Sequence, residues 1–262
     1  MGPNQRYPFN TRSFFTPEGK RNIGGGMELW RGYFQSIRPS ENRMYINIDI
    51  ATGIMYRSGP LIDLFLDFFK QREPGAFSPK RGFGDRDRLR LQKFVSNMRV
   101  MTNHTGRDRA VVIKKLSNNG ASSAMFKMGD DDKRISVADY FRLHANIKLK
   151  FPDNICIEVY LSFKLWFQLI LILFSFFRQT ATGALIPIEL CEVMPGQIMR
   201  KQIPADKTTD VVEFSQMNPA QRLASIRTGL QVGDIIVTNV HSSYRAFRSS
   251  NMDKANTFEL LA

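Results

Sequence analysis

The sequence predicts an α+β fold, and three observations carry that prediction. First, strand-like alternation recurs: Met44, Ile46, Ile48 and Ile50 alternate with Tyr45, Asn47 and Asp49, the period of a half-buried strand. Second, short runs of helical length stand between such segments, "LIDLFLDFFK" and "SVADYFRLHA". Third, a hydrophobic content of 43% with 23% charged residues over 262 residues suffices for one or two domains with real cores.

Taken in order, residues 1–22 are polar with Gly and Pro and read as a loop. Gly24 to Gly26 read as a close-packed backbone turn. They do not form a phosphate loop, because no Lys-Ser/Thr follows them. "RMYINIDIATGIMYRSGP" reads as a hairpin, with Ala51-Thr52-Gly53 its turn and Ile54–Tyr56 the return strand. "LIDLFLDFFK" follows as a short helix, and "REPGAFSPKRGFGD" as a loop. "DRLRLQKFVSNMRVMTNH" runs from helix into strand, "RAVVIKKL" is β-branched strand, and "SNNGASS" is a turn. Ser136 is an N-cap, with Asp139 completing a pattern close to a capping box. That helix spans Val137 to Ala145 and puts Tyr140 and His144 on one face. Ile147, Leu149 and Phe151 then alternate with lysines as a strand. "ALIPIELCEVMPGQ" gives another strand with a Pro-Gly turn, and Asn218-Pro219 opens a last helix.

The 37 basic and 24 acidic residues leave a formal charge of +13. That excess points to a polyanion as partner, either nucleic acid or an anionic lipid surface. It is uneven: eleven Lys/Arg and three Asp lie between Lys80 and Lys115. Cys156 and Cys191 are too few for a disulfide framework. With only His104, His144 and His241 beside them, no zinc spacing arises and no metal or other cofactor is expected. The three aspartates of "GDDDKRI" lack a supporting ligand cluster and read as a polar turn. No nucleophile motif or carboxylate cluster supports a nuclease, so no catalytic residue is assigned. The N-terminus lacks the apolar run of a signal peptide, and Arg6 stands where a myristoylation pattern needs Ser or Thr.

Several segments together resemble the eukaryotic Argonaute family. "RSFFTPEGKRNIGGGMELWRGYFQSIRP" and "MYINIDIATGIMYRSGPLIDLF" look like its first linker. "VMTNHTGRDRAVVIKKL", "ISVADYFRLHANIKLKFP" and "ALIPIELCEVMPGQ" look like successive parts of its PAZ domain, and "FSQMNPAQRLASIRTGL" like the start of the second linker. The resemblance divides the chain into an N-terminal loop (1–22), Argonaute linker 1 (23–60), a PAZ domain (61–216), the start of linker 2 (217–232) and a divergent tail (233–262). It implies a β-rich linker hairpin followed by an OB-like β-barrel with an appended hairpin-helix flap. It also implies capture of the 3′ end of a single-stranded small RNA between barrel and flap. Aromatics stack on frayed bases, and His, Tyr and Arg donate to phosphates.

On this resemblance His104 matches the histidine after the first PAZ strand. Arg109, or Arg107, matches a phosphate-contacting arginine, and Phe126 the flap aromatic over the terminal base. Tyr140 matches the phosphate-contacting tyrosine that opens the helix motif, and Ile186 an apolar residue of the cleft wall. The family usually has a tyrosine near Ala110, and a basic residue then a tyrosine where this chain has His144-Ala145. His144 remains a candidate for phosphate. Without MID and PIWI domains the chain is expected to bind small RNA in silencing without cleaving it. Other silencing proteins would be further partners, in the cytoplasm or also the nucleus.

Residues 160–179 interrupt that resemblance. The run Leu165–Phe177 carries Gln168 and Ser175 and is edged by Lys164 and Arg178, shorter than the about 20 apolar residues of a membrane span. A membrane is disfavoured because the span would split two strands of one domain. A membrane-anchored basic protein using Leu165–Phe177 stays as the alternative reading. The segment is expected to be a retained intron or a gene-model error, because Val159 can begin with a splice-donor GT, pyrimidine-rich codons follow, and Gln179 can close with AG. Transcript reads should cross a junction between Val159 and Thr180. Uninterrupted reads together with a stable translated protein would overturn this.

Overall fold

A computed structural model describes residues 5–39, 44–102, 109–127, 134–160, 184–231 and 258–261. Its elements in chain order are β1 (Tyr7–Asn10), β2 (Ser13–Gly24), β3 (Met27–Pro39), β4 (Met44–Tyr56), β5 (Gly59–Pro60), α1 (Leu61–Phe69), α2 (Asp85–Val95), β6 (Arg99–Thr102) and β7 (Arg109–Gly120). They continue with β8 (Met125–Lys127), β9 (Arg134–Ser136), α3 (Val137–His144), β10 (Ile155–Tyr160), β11 (Ala184–Pro187) and β12 (Cys191–Val193). Two helices, Thr208–Ser215 and Pro219–Gln231, and a strand, Phe258–Leu261, complete the described chain. The fold is α+β, and the chain divides into two compact units.

The first unit comprises residues 1–23, 27–55 and 198–262. Its sheet has the order β1, β2, β3, β4 and Phe258–Leu261. Residues 7–10 and 13–22, read from composition as loop, are strands. Their polar side chains sit on the exposed face of an antiparallel pair in which Tyr7 faces Phe15, while Phe14 and Phe15 are buried. Only the buried face carries the strand signal, and polar residues dilute it. Residues 51–53 do not turn either. β4 runs straight through them, because Gly53 serves close packing instead. A Cβ there would stand 2.6 Å from the Phe15 ring, and one on Gly32 2.5 Å from the same ring. Phe15, Trp30 and Met55 form the buried cluster so created. The helix Pro219–Gln231 starts as its sequence suggests, with the Gln221 N–H donating to Asn218 Oδ1 at 2.8 Å.

The second unit holds residues 24–26 and 56–197. Gly24, Gly25 and Gly26 all have positive φ, the left-handed conformation that glycine adopts at no steric cost. The Gly26 N–H donates to Asp67 Oδ2 at 2.9 Å. α1 buries Leu61, Ile62, Leu64 and Phe65, one helical stripe. α2 buries Leu91 and Val95 and packs on β7. The sheet order is β11, β10, β7, β6, β12, β5, so among the described residues the barrel is an open one with β11 and β5 at its edges. Bulges in the β10–β7 register lie between Ile155 and Ile157 and between Glu158 and Val159, and such bulges bend a sheet.

Two further expectations change here. The expected strand over Ile147–Phe151 is irregular chain: the N–H groups of Lys150 and Phe151 donate to the Glu189 carboxylate, at 3.0 and 3.2 Å, instead of to a ladder. "ALIPIELC" is two strands separated by the 3-10 turn Ile188–Leu190. β11 pairs with β10 and β12 with β6. Val159 lies directly opposite Ala184. Antiparallel strands whose ends face each other in this way are commonly joined by about two to five residues. The apolar run Leu165–Phe177 lies outside the described residues. Among the described residues no helix is long and apolar enough to cross a membrane.

Gly53→Ala should lower stability by about 1–3 kcal/mol through overpacking against Phe15, read as a lowered urea midpoint, and Phe15→Leu in the same chain should recover part of it. An unchanged midpoint in Gly53→Ala would show that β4 does not pass this close to Phe15.

Candidate nucleic-acid interface

The site is built on a hairpin and one short helix. β8 and β9 pair antiparallel, with Met125 opposite Ser136, Phe126 opposite Ile135 and Lys127 opposite Arg134. Ser136 ends the hairpin and caps α3: the Asp139 N–H donates to Ser136 Oγ at 3.1 Å, and that hydroxyl donates to Asp139 Oδ2 at 2.7 Å. The N–H groups of Val137 and Ala138 donate to the carbonyls of Ala124 and Ala121. These bonds fix the helix start onto the turn from which β8 departs. Val137 and Phe141, four residues apart, are the buried side of α3, so Tyr140, Leu143 and His144 face outward.

Three of the expected residues meet as a result. Phe126 and Tyr140 pack edge to face, with centroids 5.5 Å apart at 71°. Tyr140 and His144 lie 4.9 Å apart at 35°. Tyr140 is 36% exposed, so the cluster keeps an open aromatic and imidazole face with a phenolic hydroxyl. Such a face can stack on a nucleobase and donate to a phosphate oxygen.

Of the other expected residues, Ile186 is the one whose side chain is described. Ile186 is 6% exposed on β11, which lies against α3. Its side chain is buried. Arg109 opens β7 opposite Thr102, and nothing is described of its side chain. His104 and Arg107 lie outside the described residues, as do Asp130, Asp131 and Asp132. Among the described residues no group of three or more His, Cys, Asp or Glu could hold a metal ion.

Sequence reasoning missed Lys127 and Arg134. They are both exposed and directly opposite on the hairpin next to Phe126. Like charges facing across a pair destabilise it, and an anion at that point would offset the cost. The signal available was a cation on each side of the Gly-Asp run in the sequence, visible only once the register is known. Cys156 and Cys191 are buried free thiols. Burial pushes the Cys156 thiol up to about 12, so it is no nucleophile.

Glu189 was also missed. One carboxylate oxygen, Oε2, accepts from Lys150 and Phe151, which end the segment leaving α3. The other, Oε1, is buried with no hydrogen-bond partner. Burial raises its pKa above the usual carboxylate value, against the lowering effect of those two backbone bonds and of Lys150.

Two family models match the chain: the Argonaute linker 1 domain over residues 11–57 and the PAZ domain over residues 62–212. The chain belongs to the Argonaute family. The Argonaute protein of Schizosaccharomyces pombe is 29% identical over 222 residues, covering 82% of this chain and 23% of that protein. Argonaute 12 of rice, Oryza sativa, is 26% identical over 223 residues, 84% of this chain and 19% of its own length. The chain thus spans about a quarter or less of the curated relatives it matches. A crystal structure of Kluyveromyces polysporus Argonaute with a guide RNA aligns over 90% of this chain and 26% of that one, with TM-score 0.57 and 14% identity, a likeness of fold.

Glu189 holds its proton more tightly folded than unfolded. Its contribution is therefore fully present below the ordinary glutamate value and is lost as pH rises through the raised one. Glu189→Gln keeps an oxygen to accept from Lys150 and Phe151. Wild type should lose urea midpoint relative to this variant on going from acid to neutral pH, and a difference independent of pH would refute the assignment.

Proposed function

We propose that this chain binds the 3′ end of a single-stranded small RNA through the face formed by Phe126, Tyr140 and His144, as a non-catalytic step of RNA silencing. The observation that carries this is the contact of these three side chains on the hairpin and helix of a PAZ-family domain. The aromatic rings take the terminal bases, and the Tyr140 hydroxyl and His144 imidazole donate to the last phosphates. His104, Arg107 and Arg109 add hydrogen-bond donors from the chain where β6 gives way to β7, and Ile186 backs the helix. Lys127 and Arg134 draw the strand onto the hairpin.

The reading requires no metal or cofactor. An RNA terminus needs stacking and anion recognition, and neither breaks a bond. A strand end is distinguished from internal strand because its terminal sugar hydroxyls are free and its base stacks on one side only, so a protein face can cover the other.

Phe126→Ala and Tyr140→Ala should each weaken binding of a short single-stranded RNA by about 1–3 kcal/mol, roughly 5- to 150-fold. Fluorescence anisotropy reads this, with the same RNA blocked at its 3′ hydroxyls as comparison. Equal affinity for free and blocked ends would sink the 3′-end reading, and unchanged affinity in both variants would move the site elsewhere.

A further inference from the structure

The cationic run between Lys80 and Lys115 supplies both ion pairs and an exposed helix ridge among the described residues. Five of its members are held by carboxylates. Lys80 bonds Asp153 at 2.7 Å, Arg81 bonds Glu73 at 2.6 Å, Arg88 bonds Asp85 at 3.0 Å, and Lys114 and Lys115 bond Glu158 at 3.4 and 3.1 Å. Arg88 also donates to the Leu116 carbonyl, so it fastens α2 to β7. Arg86, Arg90 and Lys93 stand exposed along α2, at i, i+4 and i+7.

At 100° per residue those three fall within an arc of about 60°, centred about 150° around the helix from the buried Leu91 and Val95. They form its outermost ridge. Along the axis they span about 10 Å at about 1.5 Å per residue. A stacked nucleic-acid strand carries one phosphate per about 3.4 Å, so the ridge matches about three consecutive phosphates. The Arg90 guanidinium rests 5.5 Å from the Phe68 ring centroid, and Phe68 stacks on Phe94 at 4.6 Å. That contact pre-orients one cation.

We infer that the outer face of α2 is a second contact surface for the phosphodiester backbone of a nucleic-acid strand, on a different element from the Phe126–Tyr140–His144 face. The inference rests on the RNA reading above and extends it from the end of the strand to its body. An anionic bilayer fits the face less well. A helix lying on lipid needs an apolar side to insert, and the apolar side of α2 is buried on β7. Of its outward residues only Leu89, 52% exposed, is apolar. Of the carboxylates on α2, Asp85 is engaged by Arg88, and Asp87 lies on the flank of the ridge.

The test uses the full chain carrying Arg86→Gln, Arg90→Gln and Lys93→Gln together. All three are surface positions, and circular dichroism confirms that the fold is kept. Affinity is measured across a salt series for a single-stranded RNA of about twenty nucleotides and for its last four or so, with vesicles containing phosphatidylserine in parallel. The long RNA should lose on the order of 10- to 100-fold at low salt, and its salt slope should fall by about 2, since each single-strand phosphate contributes about 0.7. The short RNA should be unaffected. An unchanged long-RNA affinity and slope overturns the inference. So does equal weakening of both RNAs, which would place these cations at the strand end, or loss of vesicle binding alone, which would make the face a lipid contact. A length-dependent loss that persists when a 3′ block has no effect would keep this surface while rejecting the 3′-end reading.

Discussion

The hydroxyl of Ser136 fixes where α3 begins, and the aromatic site takes its geometry from that start. Accepting from Asp139 and donating to the Asp139 carboxylate, it satisfies a backbone group that would otherwise be orphaned at the helix end. Because β9 ends on the same residue, no freedom remains between hairpin and helix. The bonds from Val137 and Ala138 to the Ala124 and Ala121 carbonyls then lock the pair to the turn below. With the helix phase set, burial of Val137 and Phe141 leaves Tyr140 and His144 outward by elementary periodicity. Phe126 meets Tyr140 because β8 and β9 can pair in only one register with Ser136 opposite Met125.

The far end of that helix is held by a different device. The segment after α3 finds no strand partner, and two of its N–H groups go to Glu189. Glu189 sits two residues after Pro187, which ends β11. The carboxylate therefore couples the exit from α3 to the strand that carries Ile186. Its second oxygen is buried without a partner, an electrostatic cost that a protonated carboxyl avoids. This explains why the loop with the strongest alternation of apolar and basic residues is not a strand.

The cations follow a similar division of labour. Lys114 and Lys115 neutralise Glu158, Arg88 fastens α2 to β7, Lys80 and Arg81 pair at the surface with Asp153 and Glu73, and Arg86, Arg90 and Lys93 lie exposed on the outer ridge of α2. A single charged run in the sequence thus serves two physical ends, internal pairing and a surface field. Only the former is worth much to stability, and chiefly where a partner such as Glu158 is itself buried.

The sequence by itself determined the α+β class, the helices at 61–69, 85–95 and 137–144, the Ser136 and Asn218 caps, and the face shared by Tyr140 and His144. Each of these is a local effect, set by spacing or by a side chain reaching its own backbone. Tertiary structure alone decided what depends on distant partners. Residues 7–22 became strand because a neighbour buried Phe14 and Phe15, and Gly53 became part of a strand because the Phe15 ring needed the room of its missing side chain. Residues 147–151 lost their strand to one glutamate some forty positions away. The meeting of Phe126 with Tyr140, and of Lys127 with Arg134, required a register that no periodicity encodes. Local propensity is written in a few adjacent residues, whereas packing and pairing are properties of the assembled chain.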